Sequence, residues 1–169
     1  MYVDIVINYI SADKNILLIG GYIMASEYAA KIVVSLDSLR KIQKAQRHMY
    51  DSGIVNLDSN TLASLLSPLS TVLGLAFVTS SPAGIAAGVV GIATSMTVSA
   101  RAVLQDMVYS GYWNLGYMDD YMVANPKYDL IQIKLPFIEY VIDGKRIRFI
   151  TGKGVITGVH SGSGWQYSE

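Results

Sequence analysis

From Ser59 to Ala100 the chain runs for 42 residues without one charged side chain. A stretch of this length and apolarity has two possible surroundings, the protein interior or the hydrocarbon of a bilayer. Its internal punctuation predicts a helical hairpin. Asp58 can cap the first helix, and two Ser-Pro steps follow, Ser67-Pro68 and Ser81-Pro82. In each step serine can accept an N-terminal amide bond, and proline fills a first-turn position where its missing N–H loses nothing. Leu62 to Val78 therefore reads as one helix, kinked or restarted at Pro68. Thr79-Ser80-Ser81 is the turn, and a second helix runs from Pro82 to about Tyr109.

Gly84 and Gly88 are four residues apart, with Gly91 beside them and Ser95 and Ser99 continuing the line. A stripe of small residues lets another backbone approach closely. Ser70 and Gly74 offer a matching groove on the first helix, so the two helices are expected to pack through these positions.

The rest of the chain alternates between two periods. Tyr2 to Ile10 reads as a strand, with Val3, Ile5, Ile7 and Tyr9 on one face, and Ser11 to Asn15 as the turn after it. From Tyr22 to Tyr50 the spacing of Ala25, Ala29, Ile32, Leu36, Leu39, Ile42 and Met49 predicts a long amphipathic helix. Glu27 and Lys31 would form an i,i+4 pair on it. Gly53 suits a left-handed helix stop. Aromatic residues crowd between Tyr109 and Tyr121, and Asn125-Pro126 marks a boundary. Beyond it Asp143-Gly144 is a strong two-residue hairpin signal. That loop pairs Ile142 with Lys145, Tyr140 with Ile147 and Ile138 with Phe149, and sets Glu139 opposite Arg148 as a cross-strand ion pair. Val155 to His160 adds a strand, and Ser161 to Glu169 reads as a flexible tail. The expected architecture is α+β. Residues 1–126 form a mainly helical part holding the 59–100 hairpin, and 127–169 form a small antiparallel meander, the two making one compact unit.

Charge and composition narrow the chemistry. Thirteen basic residues balance thirteen acidic ones, so no global field favours nucleic acid or lipid headgroups. With no cysteine and two distant histidines, His48 and His160, neither a disulfide scaffold nor a metal or other cofactor is expected. The N-terminus lacks the basic region of a secretory signal, so a soluble form that reaches a membrane by another route is the expectation. Arg40, Lys44 and Arg47 line one face of the long helix and could meet anionic lipid or nucleic-acid phosphates. His160 and Lys153, near Thr157, Ser161, Arg146 and Arg148, form a set of the kind metal-independent ribonucleases use for acid–base work. Two glycine-rich segments fail as motifs. No serine in Gly158 to Gly164 has glycine at both −2 and +2, and Gly152-Lys153-Gly154 lacks the hydroxyl and upstream glycine of a phosphate loop. Asp119-Asp120 is an isolated carboxylate pair.

The Gly/Ala/Ser-rich composition of Leu62 to Ala100 resembles, at the level of class, the membrane-inserting segments of bacterial pore-forming effectors and colicin-type toxins. That resemblance implies a membrane-active protein, a bacterial or phage-borne effector that shelters the hairpin until it meets a bilayer and then oligomerises through Gly84, Gly88 and Ser95. The helix lengths, about 25 to 27 Å each, are short for two permanent spans, which favours conditional insertion. Two alternatives stand beside it: a metal-independent nuclease toxin acting on nucleic acid through His160 and Lys153, and a non-enzymatic assembly protein whose hairpin is buried core contacting other subunits.

Overall fold

A computed structural model describes residues 16–19 and 23–168. The strand expected at Tyr2 to Ile10 and its following turn lie outside the described residues. The architecture is α+β: a helical layer is inserted between strands of one antiparallel sheet. Strands β1 (Ile16–Ile19) and β2 (Ile23–Val34) come first, then helices α1 (Leu36–His48), α2 (Ser59–Leu66), α3 (Ser70–Phe77), α4 (Pro82–Ser95) and α5 (Val98–Ala124). Strands β3 (Leu130–Ile142), β4 (Lys145–Ile150), β5 (Val155–Ser161) and β6 (Gly164–Tyr167) complete the chain.

The sheet order is β1-β2-β3-β5-β6, and β4 also pairs with β3. One edge of β3 is taken by β2 over Met24–Val34. Its other edge is shared end to end by β5, against Leu130–Lys134, and β4, against Phe137–Ile142. The β3–β4 register matches the sequence expectation residue for residue, from Ile142↔Lys145 to Ile138↔Phe149. Asp143 and Gly144 both have positive φ, 49° and 73°, as a type I′ turn requires.

Several expectations are corrected. Ile23 to Val34, read as the first half of a helix, is a strand, and α1 starts only at Leu36, capped by Ser35 on the Ser38 amide. Glu27 and Lys31 are therefore strand residues on one exposed face, not a helical pair. Gly53 is not left-handed. It is buried in a π-helical turn (Met49–Val55), where an added Cβ would lie 2.6 Å from Val89 and 2.8 Å from Leu62, and the positive φ falls on Leu57. The tail forms β6, paired with β5 from Gly158↔Tyr167 to Ser161↔Gly164.

The charge-free segment is helical, with its details rearranged. Asp58 caps α2 by accepting the Thr61 amide, and Ser81 caps α4 by accepting the Gly84 amide with Pro82 in the first turn. A 3-10 turn, Ser67–Leu69, replaces the kink at Pro68, without the serine cap expected there. The second helix does not run on to Tyr109. It breaks at Met96-Thr97, and Thr97 caps the 27-residue α5, which carries the aromatic cluster to Ala124.

Gly74 and Gly84 do not meet across the hairpin. Gly74 faces Ser80 of its own turn, and Gly84 faces Ser81 and Thr79. α4 packs on α2, whereas α3 diverges onto α1 and β4. The small-residue stripe seats the sheet instead. Gly88 lies under Ile147, whose Cδ1 occupies the place a Cβ would take, and Gly91 lies against Ile142. The Ser95 hydroxyl turns back to the Ile92 carbonyl, and Ser99 lies beside Thr97.

One core joins the layers. Leu62, Leu66, Leu73, Phe77, Ile85, Val89 and Ile92 of the hairpin are fully buried with Ile133, Leu135, Ile147 and Phe149 of the sheet. Gln46, itself fully buried, bridges three elements. Its Nε2 donates to Val108 O (3.0 Å) and Ile150 O (2.7 Å), and its Oε1 accepts the Ile150 amide (2.8 Å). Glu139 and Arg148 stand opposite as expected, yet they are not ion-paired. Glu139 bonds Arg146 (3.0 Å) and the Tyr28 hydroxyl (2.8 Å). Arg148 instead donates to the Ala76 and Leu75 carbonyls, 2.8 and 3.0 Å, at the end of α3, and lies over the Phe137 ring. The negative end of a helix, with unpaired carbonyls, competes effectively for a guanidinium.

Candidate functional site

Two surfaces stand out once the chain is folded. The first is the outside of the charge-free segment. Its apolar stripe is buried, but the positions left in water, among them Thr61, Ser64, Thr71 and Leu75 on α2–α3 and Ala83 and Ala87 on α4, are also uncharged. Exposed helix faces of soluble proteins ordinarily carry charged side chains. Here neither face does. Ser59–Phe77, 19 residues including the 3-10 turn, is the one helical stretch among the described residues long and apolar enough to cross a membrane. α4, at 14 residues, spans only about 21 Å.

The second surface is a groove of about 600 Å³ between α1 and α5, lined by Arg40, Lys44, Arg47, Tyr109, Tyr112 and Trp113. The amphipathic period of α1 buries Leu39, Ile42 and Ala45 and so turns Arg40, Lys44 and Arg47 outward. Arg40 is held by Asp119 at 2.6 and 3.0 Å, a hydrogen bond that raises its pKa further. Arg47 lies 3.6 Å from Asp51. Lys44 has no acidic partner among the described residues. Across the groove, Tyr109 and Trp113 stack at 6.1 Å with 9° between their planes, and Tyr50 and Tyr112 meet Tyr109 edge-on. Burial pushes the Tyr112 phenol up. His48, next to Arg47 at the end of α1, is half-buried. Its pKa is lowered chiefly by burial and then by Lys44, with Asp51 pulling the other way and Arg47 adding the smallest effect.

The histidine of the nuclease expectation sits elsewhere. His160 pairs with Leu130 at one end of β3, while the segment before Lys153 bonds to Pro136, six residues along the strand. Val155, which follows Lys153 by two residues, pairs with Lys134, four residues along β3 from Leu130, so the two positions lie more than about 13 Å apart along the strand. His160 Nδ1 meets Asp129 at 2.6 Å, which depresses the Asp129 carboxyl, and its ring lies against Trp165. The Lys153 ammonium sits 4.7 Å above the Tyr117 ring. Thr157 bonds Gln132, and Arg146 and Arg148 are engaged as described above. The fold thus brings together Arg40, Lys44 and Arg47, but not His160 and Lys153. Among the described residues no three His, Asp or Glu side chains converge as a metal site would require. The pairing of the α1 basic face with Tyr109, Tyr112 and Trp113 was not evident from sequence, because some 65 residues separate the two halves and no local pattern links them. Compared with known proteins, the chain matches no family model, no curated protein and no solved structure.

Proposed function

We propose that this is a membrane-active protein, a bacterial or phage-borne effector whose 59–100 hairpin is sheltered in the core and exchanges that environment for a bilayer. The observation that carries the reading is the absence of charge on the exposed as well as the buried faces of α2, α3 and α4. A core hairpin needs an apolar inner face only. A segment that leaves water entirely must also avoid charge on its outer face, because each ion in hydrocarbon costs about 2.5–3.5 kcal/mol or more. Oligomerisation through Gly88 and Gly91 would follow release from Ile147 and Ile142, which fill those sites in the sheltered state.

Dye release from anionic liposomes, run from neutral to mildly acidic pH, tests the proposal. Release that grows as the pH falls is expected. No release at micromolar protein across that range refutes it.

A second reading, a non-enzymatic assembly protein, draws on the burial of the hairpin's apolar positions and the same neutral outer surface. Light scattering separates the two: concentration-dependent assembly without lipid favours the second, and a monodisperse monomer removes it. The nuclease reading gains no support from the separation of His160 and Lys153.

A further inference from the structure

We infer that the α1–α5 groove is the face by which the protein first docks on an anionic phospholipid surface. This rests on the membrane-active reading and names its first contact, which is not the hairpin.

The groove combines the two side-chain types that settle at a headgroup layer. Lys44, free of any acidic partner among the described residues, supplies positive charge, flanked by Arg40 and Arg47 in their ion pairs with Asp119 and Asp51. Tyr109 and Trp113 supply amphipathic rings that stay 45% and 60% exposed although stacked on each other. Rings of this kind collect at membrane interfaces, where one end is apolar and the other wet. The apolar exposure also continues past the groove along α5. Val98, Val103, Tyr117 and Val123 are all more than half exposed. At 100° per residue these four, with Tyr109 and Trp113, fall within an arc of about 160°.

That continuation favours lipid over single-stranded nucleic acid. A stacking platform for bases uses Trp113 and Tyr109 but has no use for water-exposed valines on either side of them. An interfacial helix uses all of them, its apolar side resting at the headgroup–acyl boundary with cations alongside. Asp106 and Asp120 share this side of α5. Their charge limits the depth, so α5 lies in the headgroup layer and does not enter the hydrocarbon.

Trp113 reports on its own surroundings once Trp165, the second tryptophan, is replaced by phenylalanine. In the Trp165→Phe protein, fluorescence is followed on adding vesicles of phosphatidylcholine alone or with phosphatidylglycerol, and flotation measures binding separately. The expected result is a blue shift of Trp113 with the anionic vesicles only. Each unpaired basic residue near such a surface contributes about fivefold in affinity, so Lys44→Ala with Arg47→Ala should weaken binding at least about fivefold, most of it from Lys44 because Asp51 offsets Arg47. Both side chains are exposed, and an unchanged urea midpoint confirms that the variant folds. Flotation with an unshifted Trp113 overturns this docking face while leaving the membrane-active reading standing. Absence of flotation with either vesicle overturns both. A shift produced by a single-stranded oligonucleotide without vesicles overturns the lipid assignment in favour of nucleic acid.

Discussion

Replacing Gln46 with leucine tests the junction on which the helical layer and the sheet depend. The side chain is fully buried and acts as a surrogate strand for Ile150, accepting its N–H at 2.8 Å and donating to its carbonyl at 2.7 Å. Leucine is close in size but forms neither bond. The Val108 carbonyl, inside α5, keeps its helical partner, so two buried backbone groups lose theirs. Each such group costs about 1–3 kcal/mol, and the added apolar contact offsets only part of that. The expected loss is about 2–5 kcal/mol, a large fraction of a total stability of about 5–15 kcal/mol. With a urea slope of about 2 kcal/mol per molar, the midpoint should fall by about 1–2.5 M at unchanged slope. Gln46→Glu separates hydrogen bonding from packing. Its carboxylate would face the Val108 and Ile150 carbonyls in a buried site, which raises its folded pKa above the unfolded value of about 4.3. Stability of that variant is therefore retained at low pH and lost as pH rises through the folded pKa, opposite to the usual acid destabilisation. A loss under about 1 kcal/mol for Gln46→Leu would show that Ile150 finds other partners and that the clamp is not a structural joint.

Two further outcomes follow from the packing and the titration. Gly111→Ala should damage the fold far more than Gly88→Ala. At Gly111 the new Cβ meets the Ile150 carbonyl, which is backbone, whereas at Gly88 it meets the movable tip of Ile147. Urea unfolding should give a loss of about 3 kcal/mol or more for the first and about 1 for the second, where better helix propensity offsets part of the overpacking. Equal losses would contradict the geometry. His48 has its folded pKa lowered by burial and by Lys44 and Arg47, so the unfolded chain binds a proton more readily than the folded one. Stability should accordingly fall as pH drops below the unfolded value of about 6.5, and His48→Gln should flatten that slope in thermal melts between pH 5 and 7. An unchanged slope would assign the acid response to other groups.

What was legible in the sequence follows the range of the forces involved. The β3–β4 register was readable because Asp143-Gly144 sets a two-residue turn, and the turn then dictates every pair. The caps at Asp58 and Ser81 were readable for the same reason, since each acts over three residues. The strand Ile23–Val34 was misread because Ala25, Ala29 and Ile32 fit a helical period as well as a strand. The deciding signal was the alternation of exposed Glu27, Ala29, Lys31 and Val33 with inward Tyr28, Ala30, Ile32 and Val34. Alanine on both faces blurs that alternation, and the partner strand β3 lies about a hundred residues away. The Glu139–Arg148 pair was misjudged although the register was right. The α3 carbonyls that take Arg148 come from a non-local contact. The basic face of α1 was readable, but its aromatic counterpart depended on how α5 crosses it.

The uncharged outer surface of the hairpin separates the functional readings most sharply. Burial of Ile85, Val89 and Ile92 contributes about 5–9 kcal/mol in all, comparable to the whole stability of a domain, so α4 does not leave the sheet into water. Transfer into lipid differs, because hydrocarbon re-buries the same side chains and the remaining cost falls on polar groups of the outer face. Ala87, on the exposed side of α4, isolates that term. As a surface position away from caps and core, Ala87→Lys should alter stability in water by no more than about 0.5 kcal/mol. In a bilayer the new ammonium would cost about 2.5–3.5 kcal/mol, enough to reduce insertion roughly a hundredfold. Dye release should therefore collapse while the urea midpoint stays put, and vesicle docking through the α1–α5 groove should persist. Undiminished release from Ala87→Lys would mean that α4 never enters hydrocarbon, and the neutral face would then be left to a protein partner.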